Sequence, residues 1–125
     1  EALDAGARRI IVAIGGSATV DGGTGMAEAL GARFLDEQER PLCDLCGGKL
    51  GQIRHVDLDG LDPRVRAAEF VVACDVTNPL LGPQGAARIY GPQKGASRAE
   101  VRFMERALAH YALVLKDCLN RTTLF

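Results

Sequence analysis

Tryptophan is absent from this 125-residue sequence, aromatic residues make up only 5% of it, and one sign of charge nowhere dominates. No apolar run approaches the roughly 20 residues that a membrane-spanning helix needs, and the first residues do not form a secretion signal. The 15 Lys and Arg residues are balanced by 16 Asp and Glu residues, so no basic surface for nucleic acid is predicted. We expect a globular cytoplasmic protein with no nucleic-acid or membrane partner.

The chain also lacks an initiating Met. Its first segment, Ala2–Arg9, is typical of the end of a helix, with Gly6 near the point where that helix would stop. This pattern predicts that the chain is an internal piece of a longer protein.

The four cysteines do not form a complete metal-binding pattern. Cys43 and Cys46 have the spacing of half a zinc site, but no second close pair of Cys or His follows. Unpaired thiols in a reducing cytosol are the favoured interpretation, and a zinc or redox role is the alternative.

Two apolar runs predict strands of an α/β fold. The segments Ile10–Ile14 and Phe70–Cys74 are continuous and rich in β-branched residues, as in strands of a parallel sheet that are buried on both faces. The first run leads into a helix that Asp21 can cap and that Gly31 ends. We predict a layered, mostly parallel sheet with flanking helices.

Weaker signals fill the rest of the chain. The segment Ala32–Leu35 predicts a short strand, and residues 50, 53 and 56 recur with the spacing of a helical stripe. The Pro- and Gly-rich stretch Val76–Ala96 predicts a long loop with a function. Ser97 and Glu100 match a capping box, and they predict a long helix that ends near Lys116.

The first candidate site is the glycine-rich segment from Ile14 to Gly25, with the sequence IGGSATVDGGTG. Glycines let a ligand approach backbone N–H groups, and a following helix start favours an anion. The residues proposed to bind substrate or phosphate here are Gly15, Gly16, Ser17, Thr19, Asp21, Gly22 and Gly23. A tight turn without a ligand explains the glycines equally well, and Asp21 could act as a helix cap alone.

The second candidate follows the second strand. Asp75 could accept a proton from a substrate alcohol or bind Mg²⁺, and Asn78 could contact a phosphate or a metal shell. If the two strands are parallel, both loops open on one edge of the sheet, where α/β proteins bind ligands. In the alternative interpretation, Asp75 and Asn78 only organise their own turn.

The third candidate is Lys94 in the segment GPQKGA. Held between Gly and Pro residues, its ammonium could neutralise charge on a phosphoryl group in transfer. A solvated surface lysine is the alternative.

Together, GGSATVDGGTGMAEALGARF, the turn DLDGLDPR, ACDVTNPLLGPQGAA and YGPQKGA, in this order, resemble the type 1 glycerate kinase family from about Ile10 to about Lys116. The resemblance implies two α/β domains with an active site in the cleft between them. Residues 1–125 would then be a single α/β fragment of that larger enzyme. The segment Asp117–Phe125 does not resemble the glycine-rich continuation expected of the family.

The resemblance also implies a reaction. ATP would be the phosphoryl donor, Mg²⁺ its companion, D-glycerate the acceptor and 2- or 3-phosphoglycerate the product. Onto this chemistry we place Asp75 and Lys94 as catalytic residues, with Asp75 as a possible Mg²⁺ ligand. The alternative is a non-catalytic module that binds an anion or nucleotide or serves in assembly.

Overall fold

The computed structural model describes residues 1–122. Its strands are β1 (Arg9–Ala13), β2 (Arg33–Leu35), β3 (His55–Asp57) and β4 (Glu69–Ala73), and its helices are α1 (Thr24–Ala29), α2 (Pro63–Ala67), α3 (Ala86–Tyr90) and α4 (Arg98–Thr122). Short 3₁₀ turns occupy Leu50–Gln52 and Pro92–Lys94. Strands alternate with helices, which confirms the α/β class.

Strands β1 and β4 form a parallel pair, as the sequence predicted. Arg9 is opposite Glu69, and the register continues to Ala13 opposite Ala73. Because the strands are parallel, the loops that follow Ala13 and Ala73 leave the same edge. This pairing brings the first two candidate loops together.

The prediction that both strands are buried on both faces is wrong for this chain. Ile11 is 65% exposed and Val72 is 58% exposed. Within residues 1–122, neither strand contributes to the hydrophobic core or packs against it. Parallel strands are normally covered on both faces, and the described chain leaves Ile11 and Val72 of this pair uncovered.

The core lies on the other side of the fold, where α4 packs against a second pair of strands. Strands β2 and β3 are antiparallel, with Phe34 opposite Val56, and this pairing was not predicted. The largest fully buried side chains are Phe34, Leu50, Ile53, Leu108 and Thr24. The ring of Phe34 meets that of Tyr111 edge to face, with 6.1 Å between their centroids.

Helix α4 begins at the predicted capping box. The Glu100 carboxylate accepts from the Ser97 backbone N–H at 2.7 Å, and the Glu100 N–H donates to the Ser97 hydroxyl at 3.3 Å. Bonding to Ser97 lowers the pKa of Glu100. The helix runs beyond Lys116 to Thr122, since no Gly or Pro follows to end it. Residues 123–125 of the atypical tail lie outside the described residues.

Three further expectations are corrected. Residues 2–6 form turns instead of a helix end, because Gly6 takes a left-handed conformation with a φ of 80° after a single turn. The stripe at 50, 53 and 56 is a 3₁₀ turn followed by β3, with Leu50 and Ile53 fully buried. Residues 76–96 are not a structureless loop, since they contain α3 and a 3₁₀ turn.

One expectation concerned the membrane. No helix within residues 1–122 is both long enough and apolar enough to span a bilayer.

Phe34 provides a test of the core. Phe34→Ala removes a ring that is 1% exposed and loses its contact with Tyr111, so we expect the free energy of unfolding to fall by about 3–5 kcal/mol. Phe103→Ala is the matched control, because Phe103 is 47% exposed on α4, and its loss should be within about 1 kcal/mol. Urea unfolding followed by circular dichroism measures both, and equal losses would contradict this description of the core.

Candidate functional site

The three candidate loops line one cleft of about 920 Å³. It lies beyond the ends of β1 and β4, where ligands bind in open α/β sheets. All ten residues singled out from the sequence line it: Gly15, Gly16, Ser17, Thr19, Asp21, Gly22, Gly23, Asp75, Asn78 and Lys94. The structure thus assembles the predicted residues in one place, and their individual roles remain predictions.

Lys94 connects the first loop to the third. Its Nζ donates to the Ser17 hydroxyl at 2.8 Å and to the Thr19 backbone carbonyl at 2.7 Å. An ammonium carries three N–H donors, so one remains for a ligand. The half-buried Lys94 is therefore held toward the cleft and is not a freely solvated surface lysine.

Asp21 organises the glycine-rich loop ahead of α1. Its carboxylate accepts from the Gly23 N–H at 3.0 Å, and its carbonyl accepts from the Thr24 hydroxyl at 3.0 Å. The predicted helix cap is corrected in position, because the residue that caps α1 is Gly23, with a φ of 80°. Helix α1 has only six residues, so its dipole could add little to the predicted binding of an anion.

Helix α4 packs against this loop through Tyr111. Gly22 has a φ of 64°, and a Cβ there would lie 2.7 Å from Cε1 of Tyr111, so only glycine fits above the ring. Burial, with a further contribution from the negative charge of Asp21, raises the pKa of Tyr111 to about 12. Leu108 on the same helix face lines the cleft.

Asp75 lies at the carboxyl end of β4 with its side chain exposed to the cleft. No hydrogen bond or ion pair engages its carboxylate within residues 1–122. A carboxylate without a protein partner at a cleft is available for a cation or for a substrate hydroxyl. Among these residues, no hydrogen bond supports the interpretation that Asp75 only organises its own turn.

Asn78 has partners that the sequence did not indicate. Its Nδ2 donates to the Gln84 carbonyl at 2.9 Å, and its Oδ1 accepts from the Tyr90 hydroxyl at 2.7 Å. Tyr90 also lines the cleft, but it was missed because it ends α3, a helix of five residues inside a stretch that was predicted to be irregular. The Asn78 amide thus bonds to Gln84, six residues along the chain, and to Tyr90, and not to the backbone of its own turn.

The cysteines do not extend the site. Within residues 1–122 no disulfide forms, and no cluster of three His, Cys, Asp or Glu side chains could hold a metal. Cys74 is the only cysteine of the described chain that lines the cleft. A second cavity, of about 540 Å³, lies between β3 and α4 around Arg54 and His55; Asp57 and Asp59 of the DLDGLDPR turn line it, but none of the ten candidate residues does.

The comparisons with known proteins agree with the motif order. The model of the glycerate kinase family matches residues 1–124. The chain is 48% identical over 121 residues to a glycerate kinase of Halalkalibacterium halodurans, a match that covers 97% of the chain and 32% of the relative. It is 50% identical over 120 residues to the glycerate 2-kinase of Escherichia coli, covering 96% of the chain and 31% of that enzyme.

A solved structure shows the same fold. A crystal structure from Salmonella typhimurium LT2, described as a glycerate kinase 2, superposes with a TM-score of 0.85 at 49% identity, covering 90% of this chain and 30% of that one. The chain spans about a third of the length of the relatives that it matches.

Gly22 tests how α4 supports the loop. Gly22→Ala places a side chain on a left-handed backbone and against the ring of Tyr111. We therefore expect the free energy of unfolding to fall by about 1–3 kcal/mol. Gly15→Ala is the control, since a Cβ there meets nothing within 4 Å, and its effect should stay within about 0.5 kcal/mol. Urea midpoints compare the two, and a tolerated Gly22→Ala would show that Tyr111 does not support the loop.

Proposed function

Because the chain belongs to the glycerate kinase family, we propose that it carries part of the active site of an enzyme that transfers phosphoryl from ATP to D-glycerate, giving 2- or 3-phosphoglycerate. The observation that carries this proposal is the Lys94 ammonium fixed between Ser17 and Thr19 at the cleft. Phosphoryl transfer needs positioned charge more than covalent chemistry, and this arrangement supplies positioned charge.

Lys94 neutralises negative charge in this proposal. Its two bonds to the glycine-rich loop are made to neutral oxygens, so its positive charge is not cancelled by a carboxylate there. An ammonium held in advance of the reaction stabilises developing charge without reorganising. Lys94 would thus serve a phosphoryl group or the carboxylate of the acceptor.

The glycine-rich loop binds the anion from the other side. Gly15, Gly16 and Gly23 have space above the backbone, since an added Cβ would meet nothing within 4 Å. The Ser17 oxygen accepts from Lys94, so its own proton is directed elsewhere and can be donated to a ligand oxygen. The loop and Lys94 together form a cradle of donors for an anionic group.

Asp75 is proposed as the acidic catalytic residue, accepting the proton of the attacking hydroxyl or binding Mg²⁺. Mg²⁺ is typically held by one or two carboxylates, substrate phosphates and water. The exposed Asp75 carboxylate, with Asp21 on the same cleft, fits that donor set. When bound, the ion would neutralise charge on the phosphate oxygens of ATP.

We also propose that residues 1–125 form one α/β part of a larger two-domain enzyme. The support is twofold: the relatives are about three times as long, and the described chain leaves Ile11 and Val72 of the β1–β4 pair exposed. A cytoplasmic location is proposed from the use of ATP and from cysteines that form no disulfide within residues 1–122.

A non-catalytic module that binds an anion or nucleotide, or serves in assembly, is the second candidate. The exposed apolar side chains of Ile11 and Val72 agree with it as well as with the two-domain enzyme, since in both cases further polypeptide would cover them. Calorimetric titration of the 125-residue chain with ATP and D-glycerate, followed by an assay for product, separates the two. Binding by the 125-residue chain, together with no turnover by any longer protein that contains it, supports the module. Turnover by such a longer protein excludes it.

Lys94 gives the sharpest test of the kinase proposal. In the longer protein that carries this chain, Lys94→Ala should lower kcat by about 10²- to 10³-fold, because a fixed charge at the phosphoryl group is lost. Lys94→Arg keeps the charge but not the geometry, so its kcat should lie between those of the wild type and Lys94→Ala. An assay of ADP and phosphoglycerate formation measures both. A Lys94→Ala enzyme with unchanged kcat, or a wild type that forms no phosphoglycerate, would contradict the proposal.

A further inference from the structure

The amide of Asn78 is held in one orientation. The carbonyl of Gln84 has no proton, so the group that faces it at 2.9 Å must be the Asn78 NH₂. The amide oxygen therefore faces the hydroxyl of Tyr90 at 2.7 Å. Because an amide oxygen only accepts, Tyr90 must donate its proton to Asn78.

This chain of bonds fixes what the pair presents to a ligand. With its proton committed to Asn78, the Tyr90 oxygen can only accept further hydrogen bonds. Asn78 retains one N–H, because the Gln84 carbonyl engages only one of the two. Both residues line the cleft, which therefore carries an acceptor and a donor on two neighbouring side chains.

We infer that Tyr90 and Asn78 form a subsite for an alcohol hydroxyl of the acceptor substrate, an inference that rests on the proposed function. A hydroxyl group both donates and accepts, so it matches Tyr90 as acceptor and Asn78 as donor. An ionised phosphate or carboxylate has no proton for the Tyr90 oxygen and is disfavoured there. This differs from the sequence-based hypothesis that Asn78 contacts phosphate or a metal shell.

The role of this subsite differs from that of Lys94. The charged end of the substrate belongs with the ammonium and the glycine-rich loop, where N–H donors gather. The neutral hydroxyl end belongs with Tyr90 and Asn78, whose bonds are both to uncharged groups. Tyr90 thus contributes to specificity for a hydroxy acid over a simple carboxylic acid.

Three ligands test the subsite by their hydroxyl groups. D-glycerate has hydroxyls on C2 and C3, D-lactate lacks the C3 hydroxyl, and 3-hydroxypropionate lacks the C2 hydroxyl. The affinity of each for the longer protein that carries this chain is measured by calorimetric titration, with the wild type and with Tyr90→Phe. Tyr90→Phe should weaken D-glycerate and one analogue by about 3- to 10-fold, the effect of losing one neutral hydrogen bond. Affinity for the analogue that lacks the recognised hydroxyl should stay unchanged.

Tyr111→Phe is the matched control, because it removes the same oxygen from the chain's other tyrosine, which does not line the cleft. Tyr111→Phe should not change the affinities for the three ligands relative to one another. Equal losses for all three ligands with Tyr90→Phe, or no loss at all, would overturn the subsite and leave the proposed function standing. Failure of the wild-type longer protein to bind D-glycerate would overturn the subsite as well, and only that outcome also counts against the proposed function.

Discussion

The packing of one face of α4 against glycine positions in the cleft loops is the constraint on which the site depends. Tyr111 lies against Gly22 of the first loop, and Val101 and Met104 lie against Gly91, just before Lys94. Added side chains at these glycines would come within about 3 Å of the helix side chains. Because α4 is also the main wall of the core, the stability of the fold and the placement of the loops have the same source.

Once α4 fixes the loops, Lys94 joins them. Its bonds to Ser17 and Thr19 cross from the third motif to the first, 77 and 75 residues away in sequence. The second motif adds Asp75, with its exposed carboxylate, and Asn78, with its oriented amide. The cleft is thus lined both by a positive charge with N–H donors and by the neutral side chains of Asn78 and Tyr90. This combination suits a small molecule that carries both an anionic group and a hydroxyl.

Local signals in the sequence were enough to predict much of this arrangement. The capping box at Ser97 and Glu100, the parallel strands and the ten cleft residues each depend on a short pattern and on the rule that parallel strands end at one edge. Features that depend on distant partners were missed. The antiparallel partner of Arg33–Leu35 lies in what the spacing suggested was a helix, and Tyr90 acquires a role only through Asn78. Burial of β1 was overestimated because apolar composition does not reveal whether the described chain provides a covering layer.

The most direct test of the central claim, that the three loops form one ligand site, is amide hydrogen exchange of the longer protein that carries this chain, with and without D-glycerate and a non-hydrolysable ATP analogue. The account predicts slower exchange in residues 14–25, 74–79 and 90–96 together, with little change around Arg54 and His55 in the second cavity. Protection centred on the second cavity, or confined to one of the three loops, would contradict it.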